Sequence, residues 1–279
     1  MTASPSITPI GHALGVEVEG VDLSKPLDAG TAAWVDQAIN EHPVLVFRRQ
    51  DLDAPRLAAF GRLFGTPAPH SLERYRHPEV PEVSFLTNLD EQGKPDKFGA
   101  KRATAWHTDE TYEKNLPRLA ILHALEVTSE RGGTIFADMR KAYDTLPDEL
   151  RQRVDSLVAR HGYTTGPDGE RLYGGELARK FAKSHPERQR PAVAVHPRSG
   201  RRVLFVNPLH THGFVGLKDD EAIELIEALS QHSTQENNIY YHSWQVGDVL
   251  VWDETSTMHR GAGDYRPEER RVMLRTIVH

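Results

Sequence analysis

Short apolar runs alternate with polar breaks that carry glycine or proline, and few stretches are long enough for extended helices. Val16-Glu17-Val18-Glu19 alternates at period two, which predicts a strand with one solvated face. Val44-Leu45-Val46-Phe47 and Val249-Leu250-Val251-Trp252-Asp253 are continuous apolar runs of strand length and predict buried strands. Further strands are expected over 83–88, 117–125, 132–138, 192–196, 203–207 and 270–278. Helical spacing marks 29–41, 55–64, 139–159 and 219–232, with Leu146-Pro147-Asp148-Glu149 as a start signal inside the third. Residues 89–104 and 161–190 are polar and glycine-bearing, and read as mobile lid segments.

These elements fit an α+β chain organised as a single domain over 1–279. At 279 residues and 38% hydrophobic, the chain is able to bury a large core. A net charge of −6 argues against a nucleic-acid partner. The absence of cysteine excludes disulfides, thiolate catalysis and cysteine-held zinc. No run approaches the length of a membrane span, and the start has neither the charged nor the apolar region of a secretory signal. The expectation is a soluble, cytoplasmic protein with no membrane partner.

Candidate chemistry begins at Trp106-His107-Thr108-Asp109. In an extended strand His107 and Asp109 point to one face, offering an imidazole nitrogen and a carboxylate oxygen to one divalent cation. His-x-acid triplets are common by chance, and roughly two are expected at this composition. The other two in the chain, His77-Pro78-Glu79 and His185-Pro186-Glu187, have a central proline that a central strand does not accommodate. A third ligand from a distant segment, with His259 the candidate, would complete two histidines and a carboxylate with open positions. Such a set suits ferrous iron in an oxygenase; zinc in a hydrolase and a non-redox metal-binding jelly roll are the rival readings.

The last strand adds a second signal. Arg271, Met273 and Arg275 share a face in a segment that otherwise reads as core. Two arginines there must meet anions, either ligands or internal carboxylates. His210-Thr211-His212 has no carboxylate nearby in sequence, so these histidines read as substrate-pocket or structural residues rather than a second metal pair.

Taken together, Gly20–Leu23, Trp106-His107-Thr108-Asp109, Gly132-Gly133-Thr134, Trp252-Asp253, His259 and Arg271 resemble, in order, the taurine dioxygenase and dichlorophenoxyacetate dioxygenase family of iron(II)- and 2-oxoglutarate-dependent oxygenases. The resemblance implies a double-stranded β-helix, or jelly roll, flanked by helices and working with Fe(II), 2-oxoglutarate and O2. It implies His107, Asp109 and His259 as iron ligands, and Arg271 as the anchor of the far carboxylate of 2-oxoglutarate. Thr134 would assist that anchor and Trp252 would lie beside the cosubstrate. Arg275, His70 and Asn88 would contact substrate, joined by His210 and His212 if those face the pocket. Arg271 lies twelve positions after His259, the interval of the dichlorophenoxyacetate branch. Ala103 departs from the polar residue that the taurine enzyme carries there. The substrate implied is a small organic anion, an aryloxyalkanoate-like carboxylate first and an alkylsulfonate or alkyl sulfate second. Asp109, where related halogenases have a small residue, favours hydroxylation. A homo-oligomer, dimer or tetramer, is also expected.

Overall fold

The apolar runs are continuous because both faces of their strands are covered. In β3 (Val44–Phe47), Val44 and Val46 enter one core while Leu45 and Phe47 enter another. The same split recurs in β14 (Val249–Asp253), where Leu250 and Trp252 oppose Val249 and Val251. It recurs in β6 (Leu119–Glu126), where Ala120 and Leu122 oppose Leu119 and Ile121. The computed structural model describes residues 4–11, 13–95, 103–169, 171–172 and 185–279.

These strands belong to one large sheet, ordered β1 (Ser6–Pro9), β2 (Val16–Glu19), β3, β14, β6, β16 (Val272–Val278) and β4 (Pro67–Ala68), with β5 (Ser84–Thr87) also paired to β16. Its pairings are antiparallel except for β2 with β3. A smaller sheet runs β13 (Ile239–His242), β7 (Thr134–Asp138) and β15 (Thr257–Gly261). Phe136 and Tyr240 from this sheet join Val46, Leu122, Leu250, Trp252 and Met273 in one core, so the two sheets face each other. Helices α1 (Ala29–Glu41) and α2 (Ala54–Arg62) cover the outer face of the large sheet. Asp28 and Asp53 cap them by accepting from the backbone of Thr31 and Arg56, each at 2.9 Å.

The outer face of the small sheet packs on α3 (Met139–Asp144), α4 (Asp148–Val154) and α5 (Asp219–Ser233). That core also takes residues from the hairpin β10 (Val193–Val195) and β11 (Arg202–Leu204) and from the sheet β12 (Thr211–Phe214), β8 (Val158–His161) and β9 (Arg188–Pro191). Residues 139–159 are therefore not one helix. Pro147, which has no N–H to donate, stands at the N-cap of α4, and Val158 onward pairs as a strand. The expected lid at 89–104 is described over 89–95 and 103–104, where Leu89 bridges Pro95 around a turn held by Asp90. The expected lid at 161–190 is described over 161–169, 171–172 and 185–190. Its first part is fastened by Gly162 and Gly166, whose N–H groups donate to His210 and Leu209 carbonyls at 2.9 Å each. The remainder of both spans lies outside the described residues. No helix among the described residues is long and apolar enough to cross a membrane.

Candidate active site

His107 does not lie in a regular strand, which corrects the expectation for 106–109. It makes a single antiparallel bridge with His259 of β15: His107 N–H donates to His259 O at 2.9 Å and His259 N–H to His107 O at 2.7 Å. Pairing goes no further because the chain turns at Glu110, a non-glycine residue at φ 55°. Three contacts hold the segment instead of a ladder. They are the bridge itself, Thr108 Oγ1 donating to Thr257 O at 2.8 Å, and Asp109 N–H donating to Glu254 Oε2 at 3.0 Å.

The side chains converge as the spacing anticipated. His107 Nε2 lies 3.5 Å from Asp109 Oδ1. One ligand atom from each of His107, Asp109 and His259 falls within 4.8 Å of the others, and no other such trio occurs among the described residues. His107 Nδ1 is 2.8 Å from the Ala105 carbonyl, which only accepts, so Nδ1 carries a proton and Nε2 is the nitrogen that faces Asp109 as the potential ligand atom. Burial, aided by His107, pushes the His259 pKa down to about 3. Burial opposes ionisation of Asp109, but contact with His107 and the nearby Arg275 outweigh it and hold the pKa below the usual carboxylate range. A neutral imidazole and an ionised carboxylate are the forms that a divalent metal requires. The donor set fits ferrous iron.

Behind the triad, His259 lies opposite Phe136 in the β15–β7 register, and its ring is 5.0 Å from that of Trp252. The cavity in front is lined by His107, Asp109, His259, Thr134, Trp252, Arg271 and Arg275 among others. Arg271 Nε donates to the Gly132 carbonyl at 3.1 Å and Nη2 reaches Thr134 Oγ1 at 3.5 Å. Its guanidinium carbon lies 5.9 Å from the centre of the Trp244 ring. Among the described residues no carboxylate pairs with Arg271, and burial pulls its pKa down, so the buried cation has no protein counter-charge there. Thr134 Oγ1 also accepts from Trp244 Nε1 at 3.0 Å, which leaves its own O–H to donate into the cavity.

Arg275 shares the face with Arg271 but reaches Asp109, Nη1 to Oδ2 at 3.4 Å. The internal pair weighed for this arginine thus exists, and its carboxylate is the metal-ligand candidate itself. Arg275 Nε is buried without a hydrogen-bond partner among the described residues. His70 is partly buried within electrostatic reach of Arg275, and burial together with that charge lowers its pKa to about 4. Its Nδ1 accepts from Leu72 N–H at 2.9 Å.

The other expected contacts fall in different places. Asn88 lines the cavity, yet its amide serves the backbone: Oδ1 accepts from Arg271 N–H at 2.9 Å and Nδ2 donates to Glu269 O at 2.7 Å. It holds Arg271 in place. Trp252 forms cavity wall, with its indole N–H committed to Glu254 Oε1 at 2.6 Å. His210 is buried behind the triad, its ring 6.3 Å from that of His107 and its Nδ1 accepting from Thr164 N–H. His212 pairs with Glu187 at 2.9 Å. Neither histidine lines the cavity, so neither stands where the substrate-pocket expectation put it.

Two site residues escaped sequence reasoning. Trp244 falls outside the elements expected from the sequence and gave no signal. Glu254 did give one, since it continues the inward face of Leu250 and Trp252 at period two.

The profile of the taurine catabolism dioxygenase TauD, TfdA family matches residues 6–277. Pentalenolactone F synthase of Streptomyces avermitilis is 32% identical, over 100% of this chain and 95% of that protein. (S)-phenoxypropionate/alpha-ketoglutarate-dioxygenase of Sphingobium herbicidovorans is 33% identical, over 100% of this chain and 96% of its own length. Among solved structures, AAD-2 in complex with Mn(II) and N-oxalylglycine superposes with a TM-score of 0.87 at 28% identity, covering 99% of this chain and 97% of that one.

Proposed function

The chain belongs to the taurine catabolism dioxygenase TauD, TfdA family, and from that premise we propose that it oxidises a small organic anion held beside a His107, Asp109 and His259 iron centre. The enzyme is a 2-oxoglutarate-dependent dioxygenase that uses iron(II), 2-oxoglutarate and dioxygen. Two facing sheets with the triad at their mouth support reading the fold as a double-stranded β-helix. When bound, iron and its cosubstrate supply oxidative decarboxylation to succinate and carbon dioxide, coupled to oxidation of a substrate C–H bond.

The chain's own residues bind and orient. Arg271 receives the far carboxylate of 2-oxoglutarate through a charge-assisted pair, with the Thr134 hydroxyl donating beside it. Asn88 fixes the backbone from which Arg271 projects. Arg275 offers its unused donors to a second anion, and His70, which the Arg275 charge reaches but which does not line the cavity, would add a hydrogen bond only to a substrate extending towards it. The observation that carries this reading is the pair of guanidiniums, Arg271 just before β16 and Arg275 within it, that line the triad's cavity, where among the described residues the only carboxylate bound to either is Asp109.

A carboxylate of the aryloxyalkanoate type is the first reading of the substrate, supported by the phenoxypropionate-oxidising relative and by the Arg271 spacing. A sulfonate or sulfate ester is the second, supported by the family's taurine-oxidising members. Hydroxylation next to the ether or ester oxygen would collapse to a carbonyl product and a leaving group. We also propose the cytoplasmic location and the homo-oligomer expected from the sequence. Substrate-dependent succinate release, with iron(II) and 2-oxoglutarate present, tests the reading on phenoxyacetates, phenoxypropionates, alkylsulfonates and alkyl sulfate esters. At least one anion should raise succinate well above the substrate-free rate. Neutral amides or amines outpacing every anion would sink it.

A further inference from the structure

We propose that Glu254 is a positioning residue for the metal centre, holding Asp109 directly and the wall behind His259 through Trp252; this rests on the iron-centre reading above. Glu254 is 1% exposed, and no cation pairs with it among the described residues. A buried carboxylate without a counter-charge is costly, so its hydrogen bonds must be specific. Oε1 accepts the Trp252 indole N–H at 2.6 Å and Oε2 accepts the Asp109 backbone N–H at 3.0 Å.

Asp109 needs that acceptor because it lies just past the last bridge to β15 and just before the left-handed turn at Glu110. Its N–H would otherwise be orphaned, and its carboxylate would hang from an unsupported backbone. The indole at the other end is itself wedged, 5.4 Å from the Phe136 ring and 5.0 Å from the His259 ring. One carboxylate therefore ties a ligand from the irregular segment to the strand that backs another ligand. The residue type follows from the donors. Two N–H groups converge, a carboxylate offers two acceptors, and a carboxamide would turn its NH2 against one of them.

Metal affinity of the apoenzyme, titrated calorimetrically with Mn(II), tests the assignment. Glu254→Gln should weaken Mn(II) binding by roughly 10- to 100-fold, the range typical of groups that orient metal ligands. The KM for 2-oxoglutarate at saturating metal should stay within about twofold, which a general loss of structure would not allow. Trp252→Phe removes the indole N–H together with the fused five-membered ring, leaves the Asp109 contact in place and should weaken Mn(II) binding less. The two changes combined should cost less than the sum of their separate effects, since they break one network. Parental Mn(II) affinity in Glu254→Gln overturns the proposal; if that variant does not fold, parental affinity in Trp252→Phe does so. His107→Ala is the control. If it binds Mn(II) as the parent does, the metal assignment fails rather than the role of Glu254.

Discussion

Asp109 answers to His107, Arg275 and the Glu254 clamp at once, so single substitutions around it should separate by what they measure. His107→Ala, Asp109→Ala and His259→Ala are each expected to abolish succinate formation while the circular dichroism spectrum stays native. Near-parental turnover at limiting iron in any one of them would remove that residue from the ligand set. Arg271 should behave differently. It has no carboxylate partner among the described residues, so Arg271→Ala should leave the bound cosubstrate, not the protein, with an unpaired charge. Losing one partner of a buried charge pair costs on the order of 2–5 kcal/mol, so the KM for 2-oxoglutarate should rise at least about thirtyfold. Iron affinity should change little. An unchanged KM would move the anchor to another cation, and Arg270, which pairs with Glu126 at 2.7 Å, would be examined first.

Two segments set the end of the cavity where the cosubstrate is proposed to bind. Arg271 immediately precedes β16, ahead of a register shift between Val272 and Met273, and Arg275 lies in the strand after it. β7 begins at Thr134, preceded by Gly132 at φ 69° and by Gly133. Gly133 is needed for space. A Cβ there would run into the Tyr241 ring and lie 2.6 Å from the His242 carbonyl, both on the paired strand β13. Gly133→Ala must push β7 from β13 and carry Thr134 with it. Overpacking of this kind typically costs about 1–3 kcal/mol, so a lower melting temperature and a raised KM for 2-oxoglutarate should appear together. A variant that loses stability but keeps the parental KM would show that Thr134 tolerates the shift.

Across the molecule, three cores share the two sheets, and the layer outside the small sheet buries a histidine remote from the cavity. His161 is fully buried, its Nδ1 is 3.3 Å from Thr211 Oγ1, and its Nε2 has no partner. Burial lowers its pKa from 6.5 to about 3. Between those values the unfolded chain binds a proton that the native state refuses, so stability falls as the pH falls from 6.5 towards 3. The single residue should remove roughly 2 kcal/mol between pH 7.5 and pH 5. Urea unfolding of His161→Leu should show a flatter pH profile than the parent over that window. Parallel profiles would mean that His161 gains its proton without unfolding.

Continuous apolar runs were enough to find most strands of the large sheet, because alternate residues of those strands enter two different cores. Period two placed Arg271 and Arg275 on one face, since a strand's side-chain direction depends only on its own backbone. The triad's residue types were legible for the same local reason, and the family resemblance supplied the distant His259. Tertiary structure alone decided the rest. Residues 106–109 became a bridge and not a strand, because the turn at Glu110 ends pairing with β15. His210 and His212 are two residues apart at the start of β12, yet one is buried behind His107 and the other meets Glu187. Glu254 gains its place only when β14 comes to lie beside the segment that carries Asp109. Local sequence encodes direction and polarity, but which N–H lacks an acceptor depends on strands brought together from opposite ends of the chain.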